Sequence, residues 1–270
     1  MRPTEPDFAI EPDEHGLRAH CVVPADLACL DGHFPGHPIV PGFAQVEWAR
    51  LLAARHLGIE EPIARLVALK FPTPLLPDAT ARVEVERQAG GFRFRIEVDG
   101  EVASTGRAVR DPSLESDGTQ GPEAELAGTY ALRLPHAGPM RLLGAVATHD
   151  ATTTTCLARL GANAPFAEPD GTAPVTLAIE LMAQAMAAHG GLAADPTALP
   201  RRGFLVAARQ VSFRSARLRT DEVLWARADH VRGETGMVAF RCTLGGGPVP
   251  ATEEEALDRA LAHGSLGAFV

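Results

Sequence analysis

The same order of periodic segments occurs twice in this chain, on either side of a break near its middle, and this doubling constrains the fold more than any other feature. Residues 111–128 (DPSLESDGTQGPEAELAG) are rich in Gly, Pro, Ser and acids and lack apolar periodicity, as linkers do. Before the break, a helix over Gly42 to about Leu57 precedes β-type runs at Ala64–Phe71, Ala81–Gln88, Phe92–Val98 and Val102–Val109. Arg82-Val83-Glu84-Val85-Glu86 alternates apolar and polar residues, as a half-buried antiparallel strand does, and Asp99-Gly100 suits a hairpin turn. After the break, a helix over about Pro174 to His189 precedes runs at Phe204–Phe213, Glu222–His230 and Met237–Thr243. A helix followed by a strand meander, repeated, predicts two α+β domains, each with a sheet wrapped around one helix. The ends differ: after residue 246 the pattern gives a Gly-rich turn and then a helix from about Thr252 to His263. The expected division is a first domain at 1–110, a linker at 111–129, a second domain at 130–245 and a helical tail at 246–270.

Composition excludes several classes. A net charge of −9 and 5% aromatic residues argue against a nucleic-acid platform. No apolar stretch approaches the roughly 20 residues of a membrane span, and the N-terminus lacks the apolar region of a signal peptide. Cys21, Cys29, Cys156 and Cys242 are scattered without metal-type spacing, as reduced, packed thiols of a cytoplasmic protein would be. No metal site is expected.

The chemistry concentrates in Gly32–Ala49, GHFPGHPIVPGFAQVEWA. Gly32, His33, Phe34, Pro35 and Gly36, followed by Pro38, Pro41 and Gly42, make a stiff, turn-rich loop that enters a helix N-terminus, where backbone N–H groups point outward. Such an end can polarise a carbonyl oxygen. Glu47 follows His33 by fourteen positions, on the helix. An imidazole, a carboxylate and a helix N-terminus are the parts needed to take a proton next to a thioester and protonate a departing hydroxyl.

This segment resembles the signature of FabZ/FabA-type 3-hydroxyacyl-ACP dehydratases, hotdog proteins in which HFPG-x-P-x-x-PG precedes a helical Glu at this spacing. The resemblance covers roughly residues 8–110 and includes the strand and turn Leu69-Lys70-Phe71-Pro72-Thr73-Pro74-Leu75-Leu76-Pro77. More distantly, the second half is similar to the same family. Leu134-Pro135-His136-Ala137-Gly138-Pro139-Met140 matches an early LPH-x-x-P motif, Asn163-Ala164-Pro165-Phe166 an N-x-P-F turn, and Ile179-Glu180-Leu181-Met182-Ala183-Gln184-Ala185 the acid-bearing helix. The HFPG loop is missing there: fourteen positions before Glu180 stands Phe166.

In the family each site takes its His from one subunit and its carboxylate from the other. The resemblance therefore implies a double hotdog in which His33 is the base, Glu180 the acid and Gly42 the oxyanion-binding backbone. Gln184 would orient Glu180, and Glu47 would face the half without a His. If two chains paired first half to first half, His33 would meet Glu47 of a second copy, and a homodimer is an open expectation. The pattern is similar to an ApeI-like fused to an ApeP-like dehydratase of aryl-polyene clusters. It implies no cofactor, only the phosphopantetheine arm of an acyl carrier protein as substrate handle.

Plainer readings stand beside these. Glu47 has Arg50 and Arg55 nearby as ion-pair partners, and His136 suits a structural place at the start of the second domain. Arg201, Arg202, Arg209 and Arg214 belong to an acid-free basic run over 201–219 that is either a solvated sheet face or a docking patch for an acidic carrier protein. A hotdog thioesterase and a non-catalytic acyl-carrier-binding scaffold are the competing functions.

Overall fold

The computed structural model describes residues 2–115, 128–162, 164–195, 197, 203–233 and 236–270. Arg201, Arg202, Asn163 and most of the linker fall outside the described residues. The first half contains β1 (Ala9–Asp13), β2 (Gly16–Val22), α1 (Gly42–Leu57), β3 (Ile63–Lys70), β4 (Thr80–Gln88), β5 (Gly91–Val98) and β6 (Glu101–Arg110). The second half contains β7 (Leu143–His149), β8 (Thr153–Ala158), β9 (Thr172–Pro174), α2 (Ala178–Ala193) and β10 (Phe204–Phe213). It continues with β11 (Arg217–Arg219), β12 (Leu224–Arg232), β13 (Met237–Gly246), α3 (Glu253–Asp258) and β14 (Ala260–Phe269).

One 12-stranded sheet runs β1-β2-β4-β5-β6-β3-β10-β14-β13-β12-β8-β7, all pairs antiparallel. Its two halves repeat one order outward from the β3–β10 seam, where Val67 faces Gln210 and Leu69 faces Ala208. The seam makes the molecule a fused pair of hotdogs, one sheet half around α1 and the other around α2. Alternation decides which faces are buried: in β4, Ala81, Val83 and Val85 point inward while Arg82, Glu84 and Glu86 point outward. α1 buries Phe43, Val46, Trp48 and Leu52 against this face, and Gly58, in the left-handed region at φ 62°, ends it. α2 is apolar nearly all round, as a helix enclosed by sheet and neighbouring helix must be.

The C-terminal segment departs from the sequence expectation. Instead of a helical tail at 246–270, α3 ends at Asp258 and ten residues form β14, inserted between β10 and β13. Ala260, Leu261, Ala262 and Leu266 are buried there, so this strand is core. Gly264 and Gly267 weaken any helical continuation. The ladder edges of β10 and β13 would otherwise be left unpaired, which outweighs the local preference. β14 holds the place in the second half that β6 holds in the first. The outer strands β1, β2, β7 and β8 were also not anticipated from the sequence.

Candidate active site

Two loops, one from each half, are stitched together to make the site. The Ala137 N–H donates to the Gly32 carbonyl (3.1 Å) and the Met140 N–H to the Asp31 carbonyl (3.3 Å). Gly32 has φ +99°, and a Cβ on it would lie 1.8 Å from the Ala137 oxygen, so only glycine permits this approach. The contact sets His33 beside His136, with ring centroids 5.3 Å apart, and Phe34 packs against both imidazoles.

Glu180, in the first turn of α2, lies opposite. Its Oε1 is 3.3 Å from His136 Nε2 and 4.0 Å from His33 Nε2. Gln184, a helical turn later, donates to Glu180 Oε1 (2.8 Å) and to the Met140 carbonyl (2.7 Å), and its own oxygen accepts from the Leu142 N–H (3.0 Å). That carboxamide is fully used, so Glu180 is held in one orientation from the loop that carries His136.

His33 Nδ1 lies 2.7 Å from the Ile39 carbonyl. A carbonyl only accepts, so Nδ1 carries the proton and Nε2 offers a bare lone pair. Burial pulls the His33 pKa down, reinforced by His136, while the Glu180 charge and the Ile39 carbonyl pull it back in part; the net direction is downward. For Glu180, burial pushes upward, but the hydrogen bond from His136, the charge of His33 and the Gln184 amide outweigh it and bring the carboxyl down to about 2. In the open site His33 is thus a neutral base and Glu180 an ionised acceptor tied to His136.

The three groups sit at one end of a cavity of about 690 Å3, within the range of small-molecule pockets. Phe34 and Gly42 line it beside His33, Ala183 and Gly190 floor it along α2, and His189 and His230 lie at its other end. Glu180 and His189 are about 14 Å apart along the helix axis at 1.5 Å per residue. A Cβ at Gly42 would come within 2.8 Å of the Phe71 ring, so glycine lets the start of α1 approach that wall.

Glu47 is not brought to His33. Its Oε1 accepts from Arg50 Nε (2.8 Å) and its Oε2 from the Thr176 hydroxyl (2.9 Å) at the entry to α2. Phe166, where the second half lacks its His, packs edge-on against Phe43 with centroids 5.1 Å apart. The second pseudo-site is therefore filled by an aromatic pair and a neutralised carboxylate. His136, expected to be structural, is a member of the first site; its closeness to His33 depends on the Gly32–Ala137 contact, which no spacing rule reports.

The basic run is largely engaged. Arg214 Nη1 donates to the Leu257 carbonyl (2.9 Å) at the end of α3, Arg217 pairs with Glu168 and Arg219 with Asp221. Arg209 is exposed on β10. Arg214 is exposed as well, with its guanidinium held at the end of α3.

The class the fold defines is the double hotdog, here with a His and a carboxylate converging from opposite halves on one cavity. The chain belongs to the ApeP-like family, described as ApeP dehydratase, which matches residues 129–269, just over half of its length. The ApeI-like family, described as ApeI dehydratase, matches residues 9–107, so one segment of each kind follows in a single chain. Among curated relatives, a 3-hydroxyacyl-[acyl-carrier-protein] dehydratase FabZ of Thermomicrobium roseum is 34% identical over 96 residues, 30% of this chain and 64% of that protein. The FabZ of Acetivibrio thermocellus is 36% identical over 90 residues, 29% of this chain and 62% of that protein. The chain thus spans under two thirds of the length of these relatives. Among solved structures, the dehydratase domain of PpsC from Mycobacterium tuberculosis in complex with C12:1-CoA superposes with a TM-score of 0.68 at 16% identity, covering 100% of this chain and 99% of that one. At that identity the likeness speaks for the fold. No described helix is long and apolar enough to cross a membrane.

Proposed function

We propose that the chain dehydrates (R)-3-hydroxyacyl thioesters, carried on the phosphopantetheine arm of an acyl carrier protein, to trans-2-enoyl thioesters. The observation that carries this reading is the convergence of His33 and Glu180, 4.0 Å apart, at the end of an apolar cavity. The bare Nε2 of His33 takes the α-proton while the Gly42 N–H at the start of α1 polarises the thioester carbonyl. The leaving hydroxyl takes its proton from Glu180, and His136, 3.3 Å behind it, supplies that proton. Before the reaction the His136–Glu180 pair holds the extra proton. Afterwards His33 holds it, water and the enoyl product have formed, and the proton returns across the 4.0 Å gap. No cofactor takes part in this scheme, and FabZ-type dehydratases are cofactor-independent.

The carrier protein is the source of the arm in this reading. We retain Arg209 and Arg214, both exposed, as candidate carrier contacts, together with Arg201 and Arg202, which lie outside the described residues. Both working side chains come from one chain, so the rate per chain is expected not to depend on protein concentration, whether or not two chains associate.

The test is conversion of a 3-hydroxyacyl-carrier substrate, followed by absorbance of the conjugated enoyl thioester. Wild type is expected to turn over, and His33→Ala to lose about 100-fold or more in kcat with its thermal melt retained. Turnover by His33→Ala at the wild-type rate would overturn the assignment. Release of free thiol in place of enoyl product would indicate a thioesterase.

A further inference from the structure

We infer that the same three side chains form an inhibitory site for a divalent transition-metal ion of the zinc type, bound by His33 Nε2, His136 Nε2 and a Glu180 oxygen. Ligand atoms of the three residues all lie within 4.8 Å of one another, and all three residues are buried. Two imidazoles and one carboxylate, with a fourth position open to solvent or substrate, are a recurrent donor set for zinc.

The spacing fits. Ligands about 2.0–2.1 Å from a tetrahedral ion lie about 3.3 Å from each other. His136 and Glu180 already stand 3.3 Å apart, while His33 lies 4.0 Å from Glu180 and within 4.8 Å of His136, so the His33 ring has to close on both partners. Two of the three side chains have the supporting contacts that metal ligands use, whereas His136 Nδ1 is buried without a hydrogen-bond partner among the described residues. His33 gives its other ring N–H to a backbone carbonyl, which fixes the tautomer, and Gln184 holds the carboxylate. The cavity lined by these residues leaves room for a water in the fourth position. Imidazole donors select ions such as zinc, cobalt or nickel over magnesium or calcium, which prefer all-oxygen shells.

Such an ion occupies the His33 lone pair that would take the α-proton and the carboxylate that would deliver the second one. Inhibition therefore rests on the dehydratase reading, whereas binding does not. Acyl substrate and metal compete for one place, so ion availability would set the fraction of working sites.

The experiment uses the full chain freed of metal with EDTA. Zinc titration by calorimetry is expected to give one site per chain, and cobalt to give the visible bands of a low-symmetry, four- or five-coordinate ion. His33→Ala and Glu180→Gln are each expected to weaken zinc at least tenfold, while His20→Ala on the surface and His230→Gln at the far end of the cavity leave it unchanged. Enoyl thioester is expected to raise the apparent zinc Kd, a readout needing no variant. Dehydration is expected to fall with the same zinc dependence and to return with EDTA. Absence of stoichiometric zinc, binding undiminished in both site variants, or loss of binding in His230→Gln alone would overturn the site. Activity abolished by EDTA would overturn its inhibitory character. Zinc binding without any dehydration would leave this site standing and sink the functional reading; dehydration untouched by zinc would do the reverse.

Discussion

At the scale of single residues, the site depends on two histidines being unlike. The Ile39 carbonyl fixes the tautomer of His33 and leaves Nε2 bare, whereas His136 directs its Nε2 at Glu180. Burial lowers the His33 pKa, so the neutral form needed for proton abstraction persists below the ordinary histidine value. The acid limb of kcat/KM is therefore expected to lie below about pH 6.5. Glu180 opposes that shift, so in Glu180→Gln the acid limb of any residual activity is expected to move lower still. An upward move, read from the pH–rate profile, would contradict this account of the pair. His33 was legible in the sequence because its loop needs glycines and prolines at set positions. His136 was legible only as part of a motif, since its approach depends on a backbone contact between residues more than one hundred positions apart.

Elements show where local pattern suffices and where tertiary pairing overrides it. α1 and α2 were readable from their apolar runs and from Pro41 and Pro174 ahead of them. β14 was not, because the helical pattern from about Thr252 to His263 runs into it, and only the waiting ladders of β10 and β13 draw residues 260–269 into a strand. Removing residues 260–270 would unpair both strands in the centre of the sheet, and the truncated chain is expected to lose its cooperative thermal transition. A melt resembling that of the full chain would show that β14 is dispensable. A second consequence lies where α2 meets β7, β8 and β12. His189 accepts or donates at the Thr154 hydroxyl (2.9 Å), stacks near His230 and is brought down to about 4, by burial first and by His149 and His230 next. A histidine whose folded pKa is depressed binds its proton more readily when unfolded, so its contribution to stability is complete above about pH 6.5 and is lost as pH falls towards 4. Chemical denaturation at a series of pH values is expected to show His189→Gln losing less stability than wild type between pH 7 and 4. Equal losses would remove His189 from the acid response.

The whole molecule is a fused pair in which one half-site gathers His33, His136 and Glu180 and the other is filled by Phe43 and Phe166. The doubling was legible from the repeated order of elements. Its asymmetry was legible from Phe166, which stands where a second His would be. The sequence left open which carboxylate serves His33, because that follows from how the halves dock across the β3–β10 seam. Docking puts Glu180 in reach and leaves Glu47 bound by Arg50 and Thr176. Removing the Glu47 charge leaves Arg50 without its partner and is expected to cost about 1–3 kcal/mol of stability with little loss of turnover. Side-by-side turnover of Glu180→Gln and Glu47→Gln on one 3-hydroxyacyl-carrier substrate tests the central claim most directly. The site across the fusion predicts a fall in kcat of about 100-fold or more for Glu180→Gln and near wild-type kcat for Glu47→Gln. The opposite ranking, with Glu47→Gln inactive and Glu180→Gln working, would contradict it.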